Sequence, residues 1–192
     1  MPHSLPDEEL MMQVRNGVGE MLGVLFDRYH AKLFNFYMRL TGDRALSEDL
    51  VQDVFYRILK YRHTYRPGSP FKAWMYQVAR NARRDNFHRQ HIEVEFEEQM
   101  AEPLTPKDTL ADEQQNQLLR RALLQLPEDK REVLLLSRFQ EMKYSEIAQI
   151  LGCQVGTVKV RVFRAMQELR QVIAELEARP RPRQGTGEAY EM

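Results

Sequence analysis

Between positions 144 and 158 the chain reads YSEIAQILGCQVGTV, and three of those residues leave little freedom of geometry. Ala148 is small where two crossing helices need room. Gly152, four residues on, can take the positive φ that ends a helix. Val158 is branched and placed to pack back onto the first helix. A small residue, a glycine and a branched residue at this spacing meet the requirement of a helix-turn-helix. The second helix is expected to start at Gly156 or Thr157, with its first amides free for a phosphate. Val158, Val162, Ala165 and Leu169 form its buried stripe. Thr157, Lys159, Arg161 and Arg164 project elsewhere, and the first turns of such a helix meet base edges and phosphates. An ordinary helical hairpin with a solvated basic face is the competing reading.

The rest of the chain is helical by the same periodic argument. From 21 to 40, Leu22, Leu25, Phe26, Tyr29, Leu33, Phe36, Tyr37 and Leu40 recur in steps of three and four, which marks an amphipathic helix. Thr41, Gly42 and Asp43 interrupt it. Residues 44–61 repeat the pattern, with Leu46, Leu50, Val54 and Ile58 flanked by Val51, Phe55 and Leu59; Ser47, Glu48 and Asp49 suit an early turn. Two prolines and a glycine within 66–70 make a loop. Helix resumes at Phe71 and runs to about His91, with Trp74, Val78 and Ala82 on one face. Residues 93–113 hold eight acids against one base, Lys107, around Pro103 and Pro106, the composition of a flexible acidic linker. Further helices are expected over 112–126, 129–139 and 144–151 before the last, 156–176. No hairpin signal and no repeat occurs. The expected fold class is all-α: two small helical bundles joined by the linker, the second containing the helix-turn-helix. The expected divisions are an N-terminal extension 1–14, a first domain 15–92, the linker 93–112, a second domain 113–176 and a disordered tail 177–192.

Composition excludes several classes. Hydrophobic residues make up 43% of the 192, enough for a core. Lysine plus arginine equals aspartate plus glutamate at 28 each, so any nucleic-acid surface must be a local patch. Cys153 is alone, so no internal disulfide can form, which fits a reducing cytoplasm; in the turn it reads first as a space-filling residue. The first ten residues carry Asp7, Glu8 and Glu9 and do not resemble a signal peptide. No apolar run approaches a bilayer span. An enzyme is not expected: there is no phosphate-cradling glycine loop. His88 and His91 are spaced to share a metal but have no obvious third ligand. No cofactor or metal is expected.

Two further constellations stand out. Arg80, Arg83, Arg84 and Arg89 share one helix with Asn81, Asn86, His88 and Phe87. Bases interleaved with amides and an aromatic suit phosphate contact with base stacking, and a solvated basic face explains them equally well. The loop 64–70 with Phe71 and Trp74 has the makings of a pocket for one unstacked base, although a tryptophan alone is more often core. Glu48, Asp49, Gln52 and Asp53 line one side of the second helix near Phe55 and Tyr56. They read as the outer face of an amphipathic helix or as a docking surface for a basic partner.

The order of these features resembles the extracytoplasmic-function sigma factors, the two-domain members of the bacterial sigma-70 family. SEDLVQDVF at 47–55 looks like the family's polymerase-docking signature, and FKAWMYQVARN at 71–81 like its promoter-melting segment. LPEDKREVL at 126–134 and VGTVKVR at 155–161 look like the second domain. The resemblance covers about residues 18–175. It implies that Asp49, Gln52, Asp53 and Phe55 bind the β′ clamp of core RNA polymerase. It implies that Trp74, Arg80, Asn81, Arg83, Arg84, Asn86 and Phe87 capture the −10 element of promoter DNA. The second domain would bind the β flap and read the −35 element through Thr157, Lys159, Arg161 and Arg164. The linker would lie near the active-site and RNA-exit channels, and an anti-sigma factor would be a partner. Two positions depart from the pattern: Val160 and Lys143 stand where the family often has serine. A stand-alone regulator would need a sensor or receiver domain, which is not seen. A decoy for an anti-sigma factor would lack the bases found in both modules.

Overall fold

The computed structural model describes residues 4–93 and 110–178, with side chains for 4–87 and 115–178. Eight α-helices lie among them, and from α2 onward they follow the apolar steps: α1 Asp7–Arg15, α2 Met21–Thr41, α3 Arg44–Lys60, α4 Phe71–Glu93, α5 Leu110–Gln125, α6 Glu128–Leu134, α7 Tyr144–Leu151 and α8 Val155–Ala178. A 3-10 turn, Arg62–Thr64, precedes the proline loop, and α6 continues into a π-turn, Leu135–Phe139. No strand occurs among the described residues. The linker 93–112 and tail 177–192 fall mostly outside the described residues.

The first bundle packs α2, α3 and α4 around Leu33, Phe36, Tyr37, Leu50, Val54, Ile58, Met75 and Ala79. Residues 7–14, expected to belong to the extension, form with Arg15 a helix that packs on this bundle. Leu10, Met11 and Val14 are fully buried against it. Asp7 binds Arg28 at 2.5 Å and accepts from the Tyr29 hydroxyl. Glu8 accepts the Phe71 amide at 3.1 Å and so caps the start of α4. Gly42 stops α2 at φ +78°, and Asp43 caps α3 by accepting the Leu46 amide at 3.0 Å. Ser47 lies inside, donating to the Asp43 carbonyl at 2.5 Å.

In the second bundle α8 packs on α5, α6 and α7. Gly152 takes φ +64° after α7, and Val158, Val162 and Ala165 are buried behind it. The helix begins one residue before the expected Gly156, at Val155. Lys143 precedes α7, and its ammonium has no lone pair with which to cap. The Glu146 carboxylate accepts the Lys143 amide at 2.8 Å instead, which is half of a capping box.

The bundles are not held apart; they meet along a polar seam. Arg131 donates to the Leu40 carbonyl at the end of α2, and to Leu124 and Leu126 at 2.8 Å each. Arg39 lies over the Phe139 ring, 4.8 Å from its centroid. Gln140 is buried: its amide oxygen accepts from the Tyr76 hydroxyl and its carbonyl from Lys72, both at 2.5 Å. Burial holds the Lys72 pKa below its usual value.

Candidate nucleic-acid and docking surfaces

On α8 the expected separation of faces is present. Val158, Val162, Ala165 and Leu169 are buried, while Thr157, Lys159, Arg161 and Arg164 are exposed. The glycine turn sets this orientation, because the left-handed Gly152 swings α8 across α7 with its first turns outward. No acid occurs in α8 before Glu168, and Glu168 is engaged with Lys130.

On α4 the expected set divides between two clefts. Phe71, Met75, Tyr76, Ala79 and Ala82 form the true core stripe. Trp74 and Val78, expected to share a face with Ala82, are half-buried and pack at the margin of that core. With Asn81, Gln77, Arg66 and Ser69 they line a cleft of about 560 Å³ whose far wall includes Gln149 and Ile150 of α7. Tyr65 and Phe71 support the Trp74 ring, at centroid distances of 5.3 and 6.3 Å. Arg80, Arg83, Arg84 and Phe87 line a second cleft of about 330 Å³ with Glu128, Asp129 and Glu132 of α6 opposite. There Arg80 pairs with Glu132 at 3.2 Å and Arg83 with Glu128 at 3.3 Å. Burial raises the Glu132 pKa, and the attraction of Arg80 opposes this only in part. Asn86 is half-buried, and its side-chain oxygen has no hydrogen-bond partner among the described residues. Arg89 and His88, read with this set, have side chains outside the described residues.

On α3 the expected docking residues also separate. Asp49 and Gln52 are exposed and Asp53 is half-buried. Phe55 is buried, with its ring 4.8 Å from that of Phe26. Only 7% of it is exposed, and the periodic stripe claims it for the core. Tyr56 takes the outer place: it is 61% exposed, three and four residues from Asp53 and Gln52 and so on their face. Asp53 pairs with Arg57 at 2.9 Å, and Arg57 reaches Asp85 of α4 at 2.5 Å. Burial opposes the Arg57 charge, but the hydrogen bonds to Asp85 and Asp53 prevail and raise its pKa. The α6 acids and Gln140 carried no local signal, since their partners lie in the other bundle.

Residues 25–91 match the family description "Sigma-70 region 2" and residues 116–169 match "Sigma-70, region 4". The chain is 31% identical over 171 residues to RNA polymerase sigma factor CarQ of Myxococcus xanthus, covering 87% of this chain and 97% of that protein. It is 33% identical over 139 residues to ECF RNA polymerase sigma factor EcfG of Rhodopseudomonas palustris (strain TIE-1), covering 72% and 77%. Among solved structures, the sigma factor RpoE of Bartonella quintana, in complex with the anti-sigma factor NepR, superposes with TM-score 0.65 at 27% identity. That match covers 78% of this chain and 94% of that one. With both sigma-70 regions in order along one helical chain, the protein belongs to the extracytoplasmic-function sigma factors of the sigma-70 family, which direct promoter-specific initiation of transcription.

Proposed function

We propose that this sigma factor grips a promoter at two points while seated on RNA polymerase, and that α8 supplies the upstream grip. The observation that carries the reading is the acid-free, exposed face of Thr157, Lys159, Arg161 and Arg164 on a helix set by the Gly152 turn. Cations at this density neutralise phosphates, and arginine adds bidentate pairing with guanine. Trp74 and Asn81, in the cleft beside the proline loop, take one unstacked base of the −10 strand. Arg80, Arg83, Arg84 and Phe87 follow its backbone, with Asn86 beside them.

Asp49, Gln52 and Asp53, joined by Tyr56, dock on the β′ clamp, while Phe55 supports that face from inside. The second bundle rests on the β flap. Arg80 and Arg83 are already engaged by Glu132 and Glu128, so α6 must withdraw before a strand can follow that path. The named complex of the Bartonella relative supports an anti-sigma factor as a further partner. The protein acts in the cytoplasm as an initiation factor and performs no catalysis of its own. The domain divisions follow the same reading, with α1 joined to the first domain.

Transcription in vitro with core polymerase across genomic fragments tests this. Discrete start sites that require the protein are expected. Arg161→Ala should weaken promoter binding on the order of 10-fold, as for loss of one base or phosphate contact, while binding to core polymerase is kept. Equal loss of both activities contradicts the assignment of α8, and an absence of specific starts rejects the function.

A further inference from the structure

The outward face of α8 is not wholly polar. At 3.6 residues per turn, Val160 lies about 200° round the helix from Val158, and so nearly opposite the buried stripe. It is 49% exposed, and Phe163, one turn on, is 62% exposed. Gly156, one turn before, has open space where a Cβ would stand. Lys159, Arg161 and Arg164 surround the pair and are exposed as well. A branched side chain and an aromatic one at i and i+3 form a single patch, and this patch is the part of α8 farthest from the protein's own core.

An apolar centre ringed by three cations and no acid suits a surface with anions at its rim and an apolar floor. The major groove has that form. Phosphates line its edges, and thymine alone among the bases puts a methyl group on its floor. An apolar protein groove would account for Val160 and Phe163 but not for the ring of charge. We propose that Val160, flanked by Phe163, reads a thymine methyl in the upstream promoter element and so fixes the base preferred there. The inference rests on the reading of α8 as the helix that enters this groove.

The test uses the full-length protein with core RNA polymerase to select upstream elements from a duplex library randomised in that region. The enriched duplex is then remade with deoxyuridine for each thymidine in turn, which removes one methyl and keeps the base pairing. At one position the wild-type complex should bind about 4-fold more weakly, the worth of one buried methyl. Val160→Ala should bind the two duplexes of that position equally. A thermal melt checks that this exposed substitution leaves the fold intact.

Undiminished discrimination by Val160→Ala, an enriched element without thymine, or no effect of deoxyuridine anywhere overturns the proposal. So does a Val160→Ala variant that loses core polymerase binding while keeping DNA binding, because the patch would then dock protein. Arg161→Ala separates the two levels. Normal promoter binding by that variant, or a pool with no preferred upstream sequence, overturns the reading of α8 itself. Weakened binding alongside a silent deoxyuridine series overturns only the role of Val160.

Discussion

Gly42 and Gly152 end helices with the same left-handed turn but differ in what surrounds them. A Cβ at Gly152 would meet open space, whereas at Gly42 it would meet both Leu124 methyls at 3.1 Å. Gly152→Ala should therefore cost about 1 kcal/mol, the strain of a left-handed residue alone. Gly42→Ala should cost about 0.5 kcal/mol more, because the exposed Leu124 side chain must also turn aside. Urea unfolding of the two variants measures the difference, and equal costs would mean that Leu124 does not press on the turn. Ala148, Gly152 and Val158 were legible in the sequence because a tight turn imposes its needs locally. Phe55 and Tyr56 were not, since neighbours on a helix compete for one inward place. The periodic stripe favoured Phe55 for the core, resemblance drew it outward, and the contact with Phe26 decides for the core.

Among the elements, α1 shows how far a short helix evades prediction. Nine residues, three of them acids, make only about two and a half turns, too few for a period to stand out. What gives α1 its place is tertiary: three buried side chains, the Asp7 pairing with Arg28, and the Glu8 cap on α4. Each fully buried apolar side chain contributes about 1.5–3 kcal/mol, and each kcal/mol moves Tm by roughly 2–4 °C at this size. Deletion of residues 1–15 should lower Tm by roughly 10 °C or more in a calorimetric scan. An unchanged Tm would mean that α1 does not melt with the bundle. The longer helices were legible almost to the residue, as sustained periodicity and glycine stops define them. The faces of α4 were less so, because a helix contacted on several sides has no single apolar stripe.

At the scale of the molecule, the seam between the bundles was the least legible feature. Its side-chain pairs join residues at least 45 positions apart, and no local pattern encodes such a match. Replacing Glu128 and Glu132 together by lysine sets like charges against Arg83 and Arg80. The radius of gyration from solution scattering should then rise, and affinity for a single-stranded −10 oligonucleotide should rise several-fold. No change in either would show that the seam does not depend on these pairs. The seam should also respond to pH. Burial raises the Glu132 pKa in the closed form, so the closed form holds a proton more tightly than an open one. From the ordinary glutamate value of 4.5 upward to the raised value, closure should weaken as pH rises and stay weaker above that window. Energy transfer between probes on the two bundles would follow this, and Glu132→Gln should flatten the response. The acids of α6 are also bound to the arginines of α4 through one continuous chain. They compete with DNA intramolecularly, at an effective concentration set by the chain that joins them, and protein abundance does not alter it. Dilution should not open the seam, nor overproduction close it; release falls to whatever partner seizes one bundle.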